Sequence, residues 1–218
     1  MTTRARQLSL SLARPPVYTR AAFVTSAANQ TALAAVEAWP AWPGGALALV
    51  GPEGAGKTHL ATIWAERAGA VRYAAGATPE GRPVLVEDAD QIGDEALFHL
   101  INRAPGDGGL LLTARTRPAS WRAALPDLRS RLNALTVAEI GAPDDALLIA
   151  VLEALFREQH IRAAPDLYEF LLRRMERSVT AARRLVGQLD AAAAEQGRPV
   201  NRALAREVLD ATADLFEG

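Results

Sequence analysis

Gly51-Pro52-Glu53-Gly54-Ala55-Gly56-Lys57-Thr58 satisfies the pattern G-x-x-x-x-G-K-[ST], and nothing else in the 218-residue chain limits its fold so tightly. A loop that turns backbone amides inward around an anion needs glycine wherever a side chain would block the approach. It also needs a strand to anchor one end and a helix whose positive terminus points at the same anion. Ala46–Val50 is short and wholly apolar, as in a strand buried on both faces, and His59–Ala68 carries a helical pattern. In such a P-loop the segment 51–56 cradles the phosphates of a nucleoside di- or triphosphate. Lys57 reaches the β- and γ-phosphates, and the Thr58 hydroxyl ligates Mg²⁺. Lys57 is the one lysine among 24 basic residues. A compact ammonium in a chain that otherwise uses the wide guanidinium fits a narrow anionic site, chance being the plain alternative for a single residue.

Around this motif the chain alternates strands with helices. A helix is predicted from Asn29 to about Trp39, stopped by Pro40. Strands are expected at Ala46–Val50, Val71–Ala74, Val84–Val86 and Leu110–Leu112, the last ending at Thr113. A loop spans Gly76–Arg82, and Asp94 is placed to cap a helix running to about Ala104, with Leu97, Leu100 and Ile101 as its buried stripe. Strands and helices of these lengths imply parallel βαβ units and an α/β sheet covered on both faces. After Gly141-Ala142-Pro143 the strand signal stops. Leu147, Leu148, Val151, Leu152, Leu155 and Phe156 form a helical stripe. Leu167, Phe170 and Leu171 form a second, Val179, Ala182, Leu185, Val186 and Leu189 a third, and Leu204, Val208, Leu209 and Leu215 a fourth. The expected organisation is an extended arm at 1–20 closed by Pro15 and Pro16, an α/β domain at 21–142, and a small helical domain at 143–218.

Composition removes several function classes. A formal net charge of −1 supplies no global basic field for nucleic acid or anionic lipid. The absence of cysteine excludes disulfides, thiolate metal sites and cysteine nucleophiles. No apolar run approaches the roughly 18 residues that cross a bilayer, and Leu8, Leu10 and Leu12 alternate with polar residues, unlike a secretory core. A cytoplasmic protein is expected. Val84-Leu85-Val86 leads into Glu87-Asp88, a strand ending in paired acids that would hold the metal's hydration shell and polarise water, unless they form a solvated acidic turn. Leu125–Leu132 sets Arg129 and Arg131 near the end of a short helix, readable as solvated arginines or as an arginine finger. Arg173, Arg174, Arg177, Arg183 and Arg184 read as a polar helix face. His59, His99 and His160 show no metal-ligand spacing, and the four tryptophans suit core or seam positions. Gln7-Leu8-Ser9-Leu10-Ser11-Leu12 fits either an edge strand or a linear motif whose leucines fill a partner's pocket.

The order of segments resembles the ATPase core of the DnaA-related AAA+ family over about residues 20–195. The resemblance rests on Phe23-Val24-Thr25 with Asn29, on Leu47–Pro52 running into Gly56-Lys57-Thr58-His59-Leu60, on Leu111-Leu112-Thr113, and on Leu128-Arg129-Ser130-Arg131-Leu132. It implies a P-loop AAA+ parallel sheet with an all-α lid. With QLSLSL at 7–12 similar to a sliding-clamp-binding hexapeptide, and no helix-turn-helix expected after the lid, the pattern is similar to the Hda-type regulators of that family. Such a protein would bind ADP or ATP with Mg²⁺ through Gly51, Pro52, Glu53, Gly54, Ala55, Gly56, Lys57, Thr58 and His59. It would contact the DNA polymerase sliding clamp through Gln7, Leu8, Leu10 and Leu12, without sequence-specific DNA binding of its own or membrane contact. It would stimulate ATP hydrolysis by the initiator DnaA, limiting replication initiation, and the resemblance also allows a homodimer through the finger face.

The same resemblance makes Arg131 the finger, Glu87 and Asp88 the metal-associated acids with Glu87 and Thr58 nearest the metal, and Thr113 the first sensor. Three positions depart from the pattern. Glu87 stands where aspartate is usual, Arg115 where aspartate is frequent, and Thr180 where a second-sensor arginine is expected, with Arg183 one turn further on. These departures imply weak or absent turnover and a resident ADP. The competing expectation is an autonomous P-loop ATPase or loader, or a nucleotide kinase.

Overall fold

β1 (Ala46–Val50) is apolar and buried at every position, which is why it lies inside the sheet with a strand on each side. The computed structural model describes residues 18–76 and 80–214, and its five strands run in the order β2-β3-β4-β1-β5. The remaining strands are β2 (Val71–Arg72), β3 (Val84–Val86), β4 (Leu110–Ala114) and β5 (Thr136–Glu139). All neighbours are parallel; Val50 stands opposite Ala114 on one side of β1 and Glu139 on the other.

Successive residues of a strand face opposite ways, so two cores form. Leu47, Leu49, Leu85 and Leu111 pack with Leu33 and Val36 of α1 (Gln30–Glu37) and Leu60 and Trp64 of α2 (Lys57–Ala68). On the other face Val84, Val86, Leu110 and Leu112 pack with Leu97 and Ile101 of α3 (Asp94–Arg103) and Leu128 and Leu132 of α4 (Pro126–Ala134). The α/β class expected from the sequence is the class observed.

Four local expectations are corrected. Only Val71 and Arg72 form β2; the Tyr73 amide still donates to the Leu85 carbonyl at 2.8 Å before the chain leaves the edge. β4 continues through Thr113 to Ala114. Asp94 is not the cap of α3: Gly93 holds that place, and the Asp94 carboxylate accepts from the Ala124 amide at 2.6 Å. β5 was not expected at all, because an edge strand with one buried residue lacks the apolar run that marks the interior strands.

Residues 18–147 together with 178–180 form one compact unit, and 148–177 with 181 onward a second. The second unit is helical, built from α5 (Asp145–Glu158) beyond Leu147, α6 (Pro165–Leu172), the body of α7 (Val179–Gln196), and α8 (Arg202–Asp214). Leu148, Leu152, Phe156, Phe170, Leu171, Leu185, Leu189 and Leu204 fill its interior. The Arg174 guanidinium carbon lies 4.2 Å from the Phe170 ring centre, so one member of the arginine-rich face is packing, and Arg202 lies 5.1 Å from the same ring centre. Leu215 lies outside the described residues. No helix among the described residues is long and apolar enough to cross a membrane.

Candidate functional site

Between the end of β1 and the start of α2 the chain makes the six-residue loop 51–56. Gly51 is forced by close approach: a Cβ there would stand 2.4 Å from the Ile140 carbonyl oxygen. Gly54 is forced twice. Its φ is +70°, and a Cβ would meet the Ser178 Cβ at 2.5 Å. The helix that follows begins on Gly56, which has no side chain to cap it, so α2 presents its positive end to the loop. The amides of a helix's positive end are a seat for an anion.

Lys57 supplies the cation. Its ammonium donates to the Gly51 and Pro52 carbonyls, each at 2.8 Å, and is thereby held at the mouth of the loop. Burial pulls this lysine below the ordinary lysine range. Asp88 is the strongest influence opposing that shift, Arg115 adds to it, and Glu53 and Asp90 oppose it. Asp88 is therefore the acid most closely coupled to the P-loop cation. Its backbone is left-handed, φ 48°, and its amide donates to the buried Thr113 hydroxyl at 3.3 Å, tying the end of β3 to β4.

Glu87 is engaged elsewhere. Its carboxylate pairs with the Arg72 guanidinium, which also donates to the Thr62 hydroxyl at 2.7 Å. No local pattern pointed to this partner, because Arg72 and Glu87 meet only through the pairing of β2 with β3. His59 is likewise structural in its side chain, buried between the Tyr18 and Phe23 rings with centroids at 5.2 Å. Its Nε2 lies 2.9 Å from the Thr19 carbonyl oxygen. Thr58 is exposed at the mouth of the loop. Among the described residues no group of three or more His, Asp or Glu side chains could hold a metal by itself.

Thr180 was singled out as a second-sensor position, but the contacts of Ser178 and Val179 with the loop were not foreseen. The Val179 amide donates to the Gly54 carbonyl at 2.9 Å, and the Thr180 hydroxyl lies 3.5 Å from where a Gly54 Cβ would be. Thr180 thus meets the P-loop, at the residue where the resemblance implies an arginine, while Arg183 belongs to the helical unit. The two arginines of α4 separate by role. Arg129 donates to the Ala119 carbonyl at 2.9 Å and to the Trp121 carbonyl, pinning the preceding loop. Arg131 is exposed, its guanidinium carbon 5.4 Å from the Phe98 ring centre. Gln7, Leu8, Leu10 and Leu12 lie outside the described residues.

No family model matches the chain. Solved structures do. Domain III of the Thermotoga maritima replication initiation protein DnaA matches with a TM-score of 0.76 at 18% identity, over 90% of this chain and 97% of that one. AMPPCP-bound DnaA from Aquifex aeolicus matches at 0.68 and 18% identity, over 84% of this chain and 68% of that one. A point variant of Thermotoga maritima RuvB matches at 0.64 and 15% identity, over 84% of this chain and 68% of that one. At such identities the likeness is one of fold: a parallel five-stranded sheet carrying a P-loop, with helices on both faces.

Proposed function

We propose that this chain is a DnaA-type AAA+ regulator that holds an adenine nucleotide, ADP in its working state, and acts on DnaA from the sliding clamp. The observation that carries the reading is the loop 51–56, with the Lys57 ammonium at its mouth and the positive end of α2 behind it. Gly54, Gly56, Lys57 and Thr58 bind the phosphates. Thr58 and Asp88 fit a Mg²⁺ held mainly by phosphate and water, since the one offers an exposed hydroxyl and the other is the acid coupled to Lys57. That ion would neutralise phosphate charge. The occupation of Glu87 by Arg72, and Thr180 in place of a cation, support a site that holds nucleotide and turns it over slowly. Arg131, exposed on the sheet unit, is then free to act in trans on nucleotide held by DnaA, as an arginine finger does.

Gln7, Leu8, Leu10 and Leu12 would supply the clamp contact. The test is DnaA's ATP hydrolysis in the presence of this protein and DNA-loaded clamp. Wild type stimulates it, and Arg131→Ala loses the stimulation by about 10³-fold. Full stimulation by Arg131→Ala removes the finger. Removal of residues 1–13 abolishes clamp retention and spares nucleotide binding; unchanged retention removes the tether. The second reading is an autonomous P-loop ATPase, favoured by the coupling of Asp88 to Lys57. Turnover matching DnaA's stimulated rate, with no clamp or DnaA present, selects it.

A further inference from the structure

A groove of about 320 Å³ opens on the sheet unit between α1 and α2. Val36 supplies one wall, and Leu60, Ile63 and Trp64 form a stripe along α2 that supplies the other. Thr19 and Arg20 close the end nearest His59, where the Thr19 carbonyl oxygen lies 2.9 Å from the imidazole. Trp64 is 1% exposed, and its indole N–H has no acceptor among the described residues. Such a donor has given up water and gained nothing in return. The rim is charged. Arg20 pairs with Glu37 at 2.8 Å, and Arg67 donates to the Glu37 and Trp39 carbonyls at 3.0 and 3.2 Å, so both rim cations are engaged. Glu66, on the same rim, has no ion pair among the described residues. The groove thus offers apolar walls, a donor in need of an acceptor, and one spare negative charge.

We propose that the occupant is this chain's own leading segment, residues 1–17, with its alternating leucines in the groove. That segment joins the described structure at Tyr18 and Thr19, at the groove's end. Leu12 stands seven residues before Thr19. That gives a reach of about 23–25 Å, against about 10 Å of helix from Leu60 to Arg67. In an extended chain Leu8, Leu10 and Leu12 fall on one side, about 7 Å apart, close to the about 6 Å of helix between Leu60 and Trp64. The main-chain carbonyls of an extended segment supply the acceptor that the Trp64 indole lacks. Residues 1–17 carry Arg4, Arg6 and Arg14 and no acid, which complements Glu66. A groove filled in this way competes with any partner that takes the same leucines, and lowers that partner's apparent affinity.

Because the chain has no cysteine, introduced pairs report the contact without background. In the full chain, Leu10→Cys with Ile63→Cys is oxidised in dilute solution beside Leu10→Cys with Asp127→Cys, which lies in α4 on the opposite face of the sheet. The groove pair should close an intramolecular disulfide about tenfold faster or more. Equal rates overturn the proposal. So does a disulfide formed mainly between chains, which would give the groove to a second copy. Trypsin supplies a measurement free of cysteines: cleavage after Arg6 should run about tenfold faster in Ile63→Glu than in wild type, and equal cleavage also overturns the proposal. If Ile63→Glu fails to fold, the cross-linking rates decide alone. Neither readout involves nucleotide or another protein, so their failure leaves the P-loop reading untouched.

Discussion

Lys57 sits where two demands oppose each other. The loop that makes it useful to a phosphate also buries it, and burial lowers its proton affinity against the pull of Asp88. The sign of the pH effect follows. Below the lowered value the ammonium is fully charged and affinity for ADP is level. As pH rises through that value the free protein loses the cation, and affinity falls by up to about tenfold per pH unit. Stability runs the other way. Between the folded value and the ordinary lysine value the unfolded chain binds more protons, so this group's contribution to stability rises with pH. ADP titrations from neutral to alkaline pH should show the fall beginning earlier than an exposed lysine would give. A level profile through that range contradicts the buried, charged Lys57. The identity of this residue was legible in the sequence because the motif and the lone-lysine usage both single it out. The partners of Glu87 and Glu53 were not legible. Arg72 and Arg115 reach them only through strand neighbours that no local pattern encodes.

Elements repeat that division. β1, β3 and the body of β4 were readable because interior strands bury every residue and leave uninterrupted apolar runs. The helical stripes were readable for the same reason, with Leu167, Phe170 and Leu171 or Leu185, Val186 and Leu189 all buried where the period put them. β5 escaped because Thr136-Val137-Ala138-Glu139 is held by its register with β1 and carries little apolar signal of its own. The first turn of α7 escaped too. Its pattern is helical throughout, yet residues 178–180 belong to the sheet unit and touch the P-loop. That contact makes a prediction. Gly54→Ala forces a side chain into a left-handed backbone and against Ser178, and should cost about 1–3 kcal/mol in thermal unfolding along with ADP affinity. An unchanged melting temperature with normal ADP binding would show that the first turn of α7 does not abut the loop.

At the scale of the molecule, a parallel sheet with β1 between β4 and β5 brings the ends of β1, β3 and β4 to one edge, and the chemistry-bearing residues follow from that order. Lys57 begins the helix after β1, Glu87 and Asp88 follow β3, and Arg115 follows β4. The likeness to DnaA domain III spans 97% of that chain, so it is a likeness of the whole fold and not of an isolated loop. Everything proposed for the function of this protein presupposes that the loop amides and Lys57 enclose a pyrophosphate. A calorimetric titration of wild type and Lys57→Ala with ADP reaches that point most directly. Saturable one-to-one binding, weakened about 10- to 100-fold by the substitution, is the predicted result. No binding by wild type, or equal binding by the two proteins, would contradict it.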